Sequence, residues 1–336
     1  MKLLVTGGAG FIGTNFIFYH HQTYPQDLIV NLDKLTYAGD RRNLRKLEKS
    51  ANYRFVQGDI GNKDLVSKLV RNVDVIVNFA AESHVDRSIA DPQAFLITNF
   101  LGTHNLLESA LKNKARRFHH ISTDEVFGAL PLNSEDKFSE TTKYCPSSPY
   151  SASKAAADHL ILSYYHTFGL PVTITNCSNN YGPYQYPEKF IPRMITNILE
   201  GKKIPIYGDG KYVRDWLYVE DHLRAVEAVL AGGKPGETYC VGGLKKDVDN
   251  LSLARLILKI MGKSPDDWLE FVPDRAGHDR RYAVNWEKIN RELDWEPKYN
   301  LEEGLKKTIT WYEDNRSWWE KKKKESESFY QRLAKK

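Results

Sequence analysis

The sequence predicts an α/β protein built on a doubly wound parallel sheet, with a smaller mixed α/β lobe toward the C-terminus. Two observations support this fold class. Short apolar runs alternate with helical stretches from Met1 to about Thr175, an alternation typical of parallel strands joined by right-handed crossovers. Beyond Leu170, prolines, aromatic residues and basic residues become frequent. We expect a first lobe over residues 1–180, to which some later segments return, and a second lobe over residues 181–319.

The first strand and the first helix are joined by a glycine-rich turn. The apolar run at Leu3–Val5 predicts a buried strand, and Gly7, Gly10 and Gly13 then open a helix that continues to His21. Glycine allows a tight turn and a close approach of the backbone to a pyrophosphate. The free N–H groups at the helix N-terminus stabilise the charge of that group.

The second apolar run, Leu28–Asp33, ends in an acid twenty residues after Gly13. An acid here accepts hydrogen bonds from an adenosine ribose and disfavours a 2′-phosphate. A glycine-rich turn without a ligand is the alternative, but strand, helix and acid all stand where a dinucleotide site requires them. The pattern predicts a Rossmann-like lobe that binds NAD(H) in preference to NADP(H). Its Thr-Gly-x-x-Gly-x-x-Gly spacing resembles the extended short-chain dehydrogenase/reductase superfamily.

Composition excludes several other classes of protein. The 336 residues are 41% hydrophobic and 27% charged, as in an ordinary globular protein. Much of the net charge of +5 lies in Lys321–Lys324 and the last two residues, so we expect no nucleic-acid surface. Because no run of eighteen apolar residues exists, we expect no membrane span. Cys145, Cys177 and Cys240 show neither a CxxC pair nor metal-ligand spacing, which favours a cytoplasmic protein without a metal site.

The rest of the first lobe follows the same rhythm. We expect strands over Tyr53–Val56, Val73–Phe79, Phe118–Ser122 and Val172–Thr175, and helices over Arg41–Lys49, Leu65–Val70, Thr98–Lys112 and from Pro149 onward. Ligands of such sheets gather at the carboxyl ends of the strands. Asp59 and Ile60, after the third strand, suit the edge and face of an adenine, and Ala80 and Ala81 after the fourth strand allow a cofactor to approach closely.

The fifth strand ends in a hydroxyl and two adjacent carboxyls, Thr123, Asp124 and Glu125. A solvated loop or a helix N-cap would explain these residue types equally well when they are considered alone. Further along the chain, however, Tyr150 and Lys154 stand four residues apart on a predicted helix, and therefore on one face of it. A nearby ammonium lowers the pKa of a phenol. We therefore expect Tyr150 to take a proton from a sugar hydroxyl, rather than the pair to be an ordinary surface feature.

The second lobe carries scattered cationic side chains with tyrosines and a histidine. These occur within residues 187–193, 204–222 and 273–282. They suit a lobe that binds a diphosphate and stacks on a base, although ordinary surface charge on a loop-rich lobe is the alternative. From Glu320 onward the chain is charge-rich, and we expect a frayed helix or a disordered tail over residues 320–336.

Five stretches together resemble one family, that of the dTDP-glucose 4,6-dehydratases. They are Leu35–Gly39 (LTYAG), Ala80–Ser88 (AAESHVDRS), Ser122–Val126 (STDEV), Thr175–Pro183 (TNCSNNYGP) and Arg214–His222 (RDWLYVEDH). The likeness extends from Met1 to about Trp319, and the Asp124-Glu125 pair is its most discriminating part, because related epimerases typically lack it.

The resemblance implies a redox-neutral reaction in three steps. Tyr150, tuned by Lys154 and sharing a hydrogen bond with Thr123, would remove the C4 hydroxyl proton while hydride moves from C4 to tightly bound NAD. Glu125 would then take the C5 proton, and protonated Asp124 would donate to the departing C6 hydroxyl. Neighbouring carboxyls push their pKa values apart, which permits one acid and one base at the same pH. Hydride would finally return to C6, giving a 4-keto-6-deoxy sugar.

The resemblance also implies binding residues and a homodimer. Residues implied at the NAD site, besides the three glycines, Tyr150 and Lys154, are Phe11, Ile12, Asp33, Lys34, Leu35, Thr36, Asp59, Ile60, Ala80, Ala81, Thr98 and Asn180. Those implied at the substrate site, besides Thr123, are Ser83, Asn179, Glu188, Lys189, Phe190, Tyr207, Arg214, Arg275 and His278. Arg214 and Arg275 would bind the pyrophosphate. Helices around Thr98–Lys112 and Ser151–His166 would pair between two subunits.

Two positions depart from the family. Phe127 stands where the family usually has Tyr, and Leu244–Asp247 replaces a typical His-Asn pair near the nucleotide. The second departure leaves dTDP, UDP and other carriers open. Other functions on this scaffold would be a sugar-nucleotide epimerase, a decarboxylase or a non-catalytic NAD-binding protein. The carboxyl pair disfavours the epimerase, the complete set of Thr123, Tyr150 and Lys154 disfavours the non-catalytic protein, and the sequence does not exclude the decarboxylase. An RNA-associated protein using the basic tail would need an RNA-binding motif, which the sequence lacks.

Overall fold

A computed structural model describes residues 1–274 and 279–333. Within these residues it contains thirteen strands, most of them short. They are β1 (Lys2–Thr6), β2 (Leu28–Asp33), β3 (Tyr53–Gln57), β4 (Val75–Asn78), β5 (Arg117–Thr123), β6 (Val172–Cys177), β7 (Asn179–Tyr181), β8 (Ile204–Tyr207), β9 (Val213–Arg214), β10 (Trp216–Tyr218), β11 (Glu237–Val241), β12 (Val248–Asp249) and β13 (Leu269–Val272). Seven of these strands form the central sheet, in the order β11-β6-β5-β4-β1-β2-β3, and all seven are parallel.

Helices connect and cover these strands. The described residues contain α1 (Phe11–Thr23), α2 (Lys63–Val70), α3 (Val85–Ala90), α4 (Pro92–Phe95), α5 (Thr103–Lys112), α6 (Pro149–Phe168), α7 (Phe190–Leu199), α8 (Val219–Gly232), α9 (Asn250–Ile260), α10 (Pro265–Trp268), α11 (Glu287–Leu293), α12 (Leu301–Asp314) and α13 (Arg316–Leu333). None of them is both long and apolar enough to cross a membrane. The predicted Rossmann-like, doubly wound sheet is confirmed.

Both faces of the sheet are buried. Val5 packs in one core layer with Phe16 of α1 and Val226 of α8, and its neighbour Leu4 packs in the other layer with Leu107 of α5. Successive side chains of a strand point to opposite faces, so a strand covered by helices on both faces must be apolar throughout. This explains why β1 has a continuous apolar sequence instead of an alternating one.

The second lobe has its own core, in which Ile195 of α7, Ile257 of α9 and Ile309 of α12 are buried together. It also contains three two-stranded pairings: β10 with β7, β12 with β9, and β13 with β8. The chain then crosses between lobes, because β11 comes from beyond residue 181 and adds the seventh strand beside β6.

Two predicted elements differ from the structure. The helix predicted over Arg41–Lys49 is a 3-10 helix over Arg41–Leu47, which is kinked because Leu44 leaves helical backbone angles. The helix predicted over Thr98–Lys112 begins as a π-helix, Leu96–Gly102, and continues as α5. From Glu320 the sequence predicts a frayed helix or a disordered tail, and the structure contains a helix, since α13 continues through the described residues to Leu333.

Candidate active site

A cleft of about 970 Å³ lies at the carboxyl ends of β1, β2, β4, β5 and β6, between the sheet and the second lobe. Most of the predicted site residues line it. They are Gly7, Gly10, Phe11, Ile12, Gly13, Asp33, Lys34, Thr36, Asp59, Ile60, Ala80, Ala81, Ser83, Thr98, Thr123, Glu125, Tyr150, Lys154, Asn179, Asn180, Glu188, Lys189, Phe190, Tyr207 and Arg214. Leu35 and Asp124 stand beside the cleft without lining it, and Arg275 and His278 lie outside the described residues.

The glycine turn is shaped by backbone contacts that a side chain would prevent. Gly7 has φ +69°, and a Cβ atom there would lie 2.6 Å from the backbone nitrogen of Ala80. A Cβ atom on Gly13 would lie 2.4 Å from the carbonyl oxygen of Gly7. Gly10 is the N-cap of α1, so the positive end of this helix is directed at the cleft. This arrangement fits the pyrophosphate of a dinucleotide.

Asp33, at the end of β2, is held in place by two backbone donors. The N–H of Ala9 donates to Oδ2 at 2.9 Å, and the N–H of Leu35 donates to Oδ1 at 2.7 Å. Leu35 thus orients Asp33 instead of lining the cleft. Burial raises the pKa of Asp33, and these two hydrogen bonds oppose that effect. A carboxylate fixed at this strand end fits a ribose with free hydroxyls.

The carboxyl pair follows β5. Thr123 caps a 3-10 helix over Asp124–Phe127, because its Oγ1 accepts the N–H of Glu125 at 3.2 Å. The N-cap alternative is therefore also realised, and it is compatible with a role in the site. Asp124 is only 1% exposed, whereas Glu125 is partly exposed and lines the cleft. Burial, reinforced by the charge of Glu125, raises the pKa of Asp124 well above its usual value.

Tyr150 and Lys154 lie on the first two turns of α6, which starts at Pro149 behind a capping box of Ser148 and Ser151. Lys154 is buried, and its Nζ donates to the carbonyl of Ile121 at 2.6 Å. The Nζ also lies 2.9 Å from Nε2 of His120. Burial lowers the pKa of Lys154 to about 8.

The structure differs from the prediction that Lys154 lowers the pKa of Tyr150. Burial is the main effect and raises this pKa well above its usual value, and the charge of Glu125 acts in the same direction. A side-chain hydrogen bond with Thr123 opposes both. The amine of Lys154 is directed at His120 and Ile121.

The second lobe contributes Arg214, which is buried beneath the ring of Tyr282, 4.3 Å from its centroid. The guanidinium also donates to the carbonyl of Asp279 at 2.8 Å. Tyr282 and Asp279 line the cleft. Both lie in the stretch 273–282 that the sequence marks for diphosphate and base binding, but neither was itself predicted as a site residue.

The loop at Leu244–Asp247, where the sequence departs from the family, does not line the cleft in the described part of the chain. Buried Asp215 accepts the N–H groups of Gly243 at 2.9 Å and Leu244 at 2.8 Å. Burial raises the pKa of Asp215 to about 6. At the other end of the loop, Oδ2 of Asp247 lies 2.6 Å from Nε of Arg281. The departure therefore changes a loop anchored outside the cleft.

Helix α13 lines the cleft with Lys323, Ser326 and Tyr330. Sequence reasoning missed these residues, because a run of lysines and glutamates is typical of a solvated surface. Lys323 is only 3% exposed, and its Nζ donates to Oδ1 of Asn197 at 2.7 Å and to Oε2 of Glu200 at 2.9 Å. Part of the charged C-terminal segment is therefore a wall of the site.

Fold and cleft together define the class of the protein, an extended short-chain dehydrogenase/reductase that binds NAD. A family model described as GDP-mannose 4,6 dehydratase matches residues 4–308. The chain is 50% identical to the dTDP-glucose 4,6-dehydratase of Mycobacterium tuberculosis over 98% of this chain and 99% of that protein. It is 49% identical to dTDP-glucose 4,6-dehydratase 1 of Escherichia coli, over 95% of this chain and 94% of that protein. The chain belongs to the dTDP-glucose 4,6-dehydratase family, whose members are NAD-dependent hydro-lyases.

Solved structures agree with this assignment. The dTDP-glucose 4,6-dehydratase of Bacillus anthracis, in complex with NAD, has a TM-score of 0.89 and 49% identity, over 96% of this chain and 99% of that chain. A UDP-glucose 4-epimerase from Thermotoga maritima has a TM-score of 0.86, over 94% of this chain and 99% of that chain, but only 29% identity. The fold is thus shared with epimerases, and sequence identity separates the two groups.

Proposed function

We propose that the cleft binds dTDP-glucose and converts it to dTDP-4-keto-6-deoxyglucose and water. The observation that carries this proposal is the difference in environment between Asp124 and Glu125. Asp124 is buried and its pKa is raised, whereas Glu125 is partly exposed at the cleft. Elimination of water requires one protonated and one ionised carboxyl near the same sugar.

Tyr150 is the proposed base for the C4 hydroxyl of the sugar. Its phenol must first lose a proton, and the hydrogen bond with Thr123 favours this loss. Lys154, which lines the cleft, is the proposed partner of the nicotinamide ribose. Bound NAD would take a hydride from C4 and return it to C6 in the same turnover, so no external oxidant is consumed.

Glu125 is the proposed base for the C5 proton, whose acidity is increased by the ketone at C4. Asp124 is the proposed acid for the C6 hydroxyl, which leaves as water. When hydride reaches C6, Glu125 would return its proton to C5, so Glu125 ends the turnover unchanged. Tyr150 has then gained a proton and Asp124 has lost one, and a net transfer between these two side chains restores the starting state.

The cofactor and substrate positions implied by the resemblance remain proposals. The glycine turn, Asp33 and the alanines after β4 would bind NAD. The other predicted site residues that line the cleft would supply the remaining contacts to NAD and to the substrate. Arg214 would bind the pyrophosphate of the substrate, and Arg275 and His278 belong to the same proposal. The side chain of Glu188 is 0% exposed, so any contact from Glu188 would come from its backbone.

A homodimer and a cytoplasmic location are also proposed. Four apolar residues on and beside the π-helix, Ile89, Leu96, Ile97 and Leu101, are 47–56% exposed. Phe168, at the end of α6, is 54% exposed. Exposed apolar side chains on or near the two helices that the resemblance assigns to the interface support subunit pairing. The three cysteines are free thiols, which suits a reducing compartment.

Incubation of the purified protein with three sugar nucleotides tests the function. Without added NAD, we expect dTDP-glucose to lose one water by mass spectrometry, and UDP-glucose and GDP-mannose to remain unchanged. Tyr150→Phe is the inactive control. Loss of water from UDP-glucose alone would contradict the proposed nucleotide. A new isomer without a change in mass would contradict dehydration and indicate an epimerase.

A further inference from the structure

Glu188 lies beside the cleft, in the segment that leads into α7, but its carboxylate is directed away from the cleft. The residue as a whole is 8% exposed and its side chain 0%, so only the backbone reaches the cleft. The carboxylate meets the guanidinium of Arg87, with Nη2 2.8 Å from Oε2 and Nε 3.3 Å from Oε1. Two parallel contacts of this kind define orientation as well as charge.

Arg87 comes from the first lobe. It belongs to α3, which follows the loop after β4 that contains Ser83. Its guanidinium lies between two aromatic rings, 3.6 Å from the ring centroid of Tyr37 and 4.1 Å from that of Phe329. Tyr37 in turn donates a hydrogen bond to the carbonyl of Ser83 at 2.6 Å. The cation is thus fixed by the loop beside the NAD position and by the C-terminal helix.

Helix α13 closes this arrangement. Besides Phe329, it supplies Ser326, whose Oγ lies 3.5 Å from Oε2 of Glu188. It also supplies Tyr330, whose hydroxyl lies 3.2 Å from Nδ1 of His84, beside Ser83. The ion pair therefore joins the first lobe to the second beside the cleft, and α13 packs against the junction.

We propose that Arg87 and Glu188 form a latch that positions the substrate-binding segment Glu188–Phe190 against the loop containing Ser83. Both groups would act as positioning residues, and neither would touch the reacting atoms. The inference rests on the proposed function, because it concerns binding of the same sugar nucleotide. In this proposal the carboxylate of Glu188 holds its segment in place through Arg87 and does not contact the substrate.

A buried pair of this kind has a distinctive energetic signature. Removal of one partner leaves an uncompensated charge in an apolar environment, and removal of both does not. If the two residues act only as a pair, their effects on substrate binding are coupled and do not multiply. If the carboxylate of Glu188 contacted the substrate directly, its removal would instead raise KM by the same factor whether or not Arg87 is present.

A double-mutant cycle with Arg87→Met and Glu188→Met tests the latch, once the wild type has been shown to dehydrate dTDP-glucose. We expect each single variant to raise KM for dTDP-glucose about tenfold and to change kcat by less than about twofold. We expect the double variant to have the KM of a single variant and a higher melting temperature than either. Arg87→Lys should restore part of the affinity. The exposed pair Arg41 and Glu48 provides a matched control cycle, in which KM should not change.

Three results would overturn the latch. They are a large loss of kcat in Glu188→Met, KM increases that multiply in the double variant, and melting temperatures that fall while every KM stays at the wild-type value. If the single variants fail to fold, the neutral double variant and Arg87→Lys still measure the effect on KM. A wild type inactive on dTDP-glucose would instead refute the proposed function.

The contribution of α13 is tested separately with Phe329→Ala. Loss of the ring that covers Arg87 should raise KM in the same direction, by a smaller factor, with kcat unchanged. Ser328→Ala, next to it on the exposed side of α13, is the matched control and should behave as wild type. A KM for Phe329→Ala equal to that of Ser328→Ala would show that α13 does not contribute to the latch.

Discussion

Asp124 and Glu125 are adjacent in the chain but differ in their surroundings. The 3-10 turn that begins at Asp124 places its side chain in the protein interior and that of Glu125 at the cleft. In residues 1–274 and 279–333, Oδ2 of Asp124 has no hydrogen-bond partner. A buried carboxyl without full pairing favours its neutral form. One residue of offset along the chain is therefore enough to separate an acid from a base.

Glu125→Gln should allow oxidation at C4 and slow the elimination. A positioned base typically contributes a factor of about 10²–10⁴, so we expect turnover to fall at least about a hundredfold. Absorbance of NADH should accumulate after mixing with substrate, because the step that consumes it is blocked. Glu135→Gln, in an exposed loop, is the control. Unchanged turnover in Glu125→Gln would refute its role as the base.

Helix α13 is highly charged, and buried ion pairs hold it in a defined position. Lys322, which is 6% exposed, donates from Nζ to Oδ2 of Asp40 at 2.5 Å, and Arg42 donates to the same carboxylate. Although burial raises the pKa of Asp40, these hydrogen bonds lower it from 3.8 to about 2. The charged helix α13 is thus bound to the first lobe through Asp40, which lies 282 positions before Lys322 in the chain.

Asp40→Asn should destabilise the protein in a pH-dependent way. The lowered pKa in the folded state corresponds to roughly 2 kcal/mol of stability above pH 3.8, which is lost as the pH falls toward 2. Urea unfolding of wild type and variant should therefore differ by that amount at pH 7 and by progressively less below about pH 4. Asp209→Asn is a control, since Asp209 pairs with Arg280 at an exposed position and its removal should cost much less. A difference that is constant with pH would exclude the ionic contribution of Asp40.

At the scale of the whole molecule, two lobes meet at the carboxyl edge of the sheet and the chain passes between them. Strand β11 and helices α8 and α11 return to the first lobe after the second lobe has begun. Helix α13 returns as well and contacts both lobes, through Asp40 on one side and Asn197 on the other. The cleft is therefore enclosed by segments that are distant in sequence.

The proposed homodimer predicts a change of mass when its apolar patch is disrupted. Leu101→Asp places a charge on a residue that is 51% exposed in the monomer and would be buried between subunits. We expect the particle mass, measured by light scattering, to fall by half. Phe271→Asp is the control, because Phe271 is 58% exposed on β13, outside the proposed interface. An unchanged mass for Leu101→Asp would place the interface elsewhere.

Local sequence determined the first lobe and the position of the chemistry. Strand periodicity, the glycine turn and Asp33 depend on backbone geometry and on spacing along the chain, so they could be predicted residue by residue. The same holds for Tyr150 and Lys154, because helical spacing alone places them on one face. The carboxyl pair could be located, since both residues follow one strand.

Only the tertiary structure decided which side chains are buried and with which partners. It paired the carboxylate of Glu188 with Arg87, turned Lys154 toward His120, and packed α13 over the cleft. These outcomes depend on contacts between residues up to 282 positions apart, such as Lys322 and Asp40. Burial controls the pKa values of Asp124 and Tyr150 in the same way. No local pattern encodes such contacts, because the free energy of a buried charge depends on its neighbours in space and not on those in sequence.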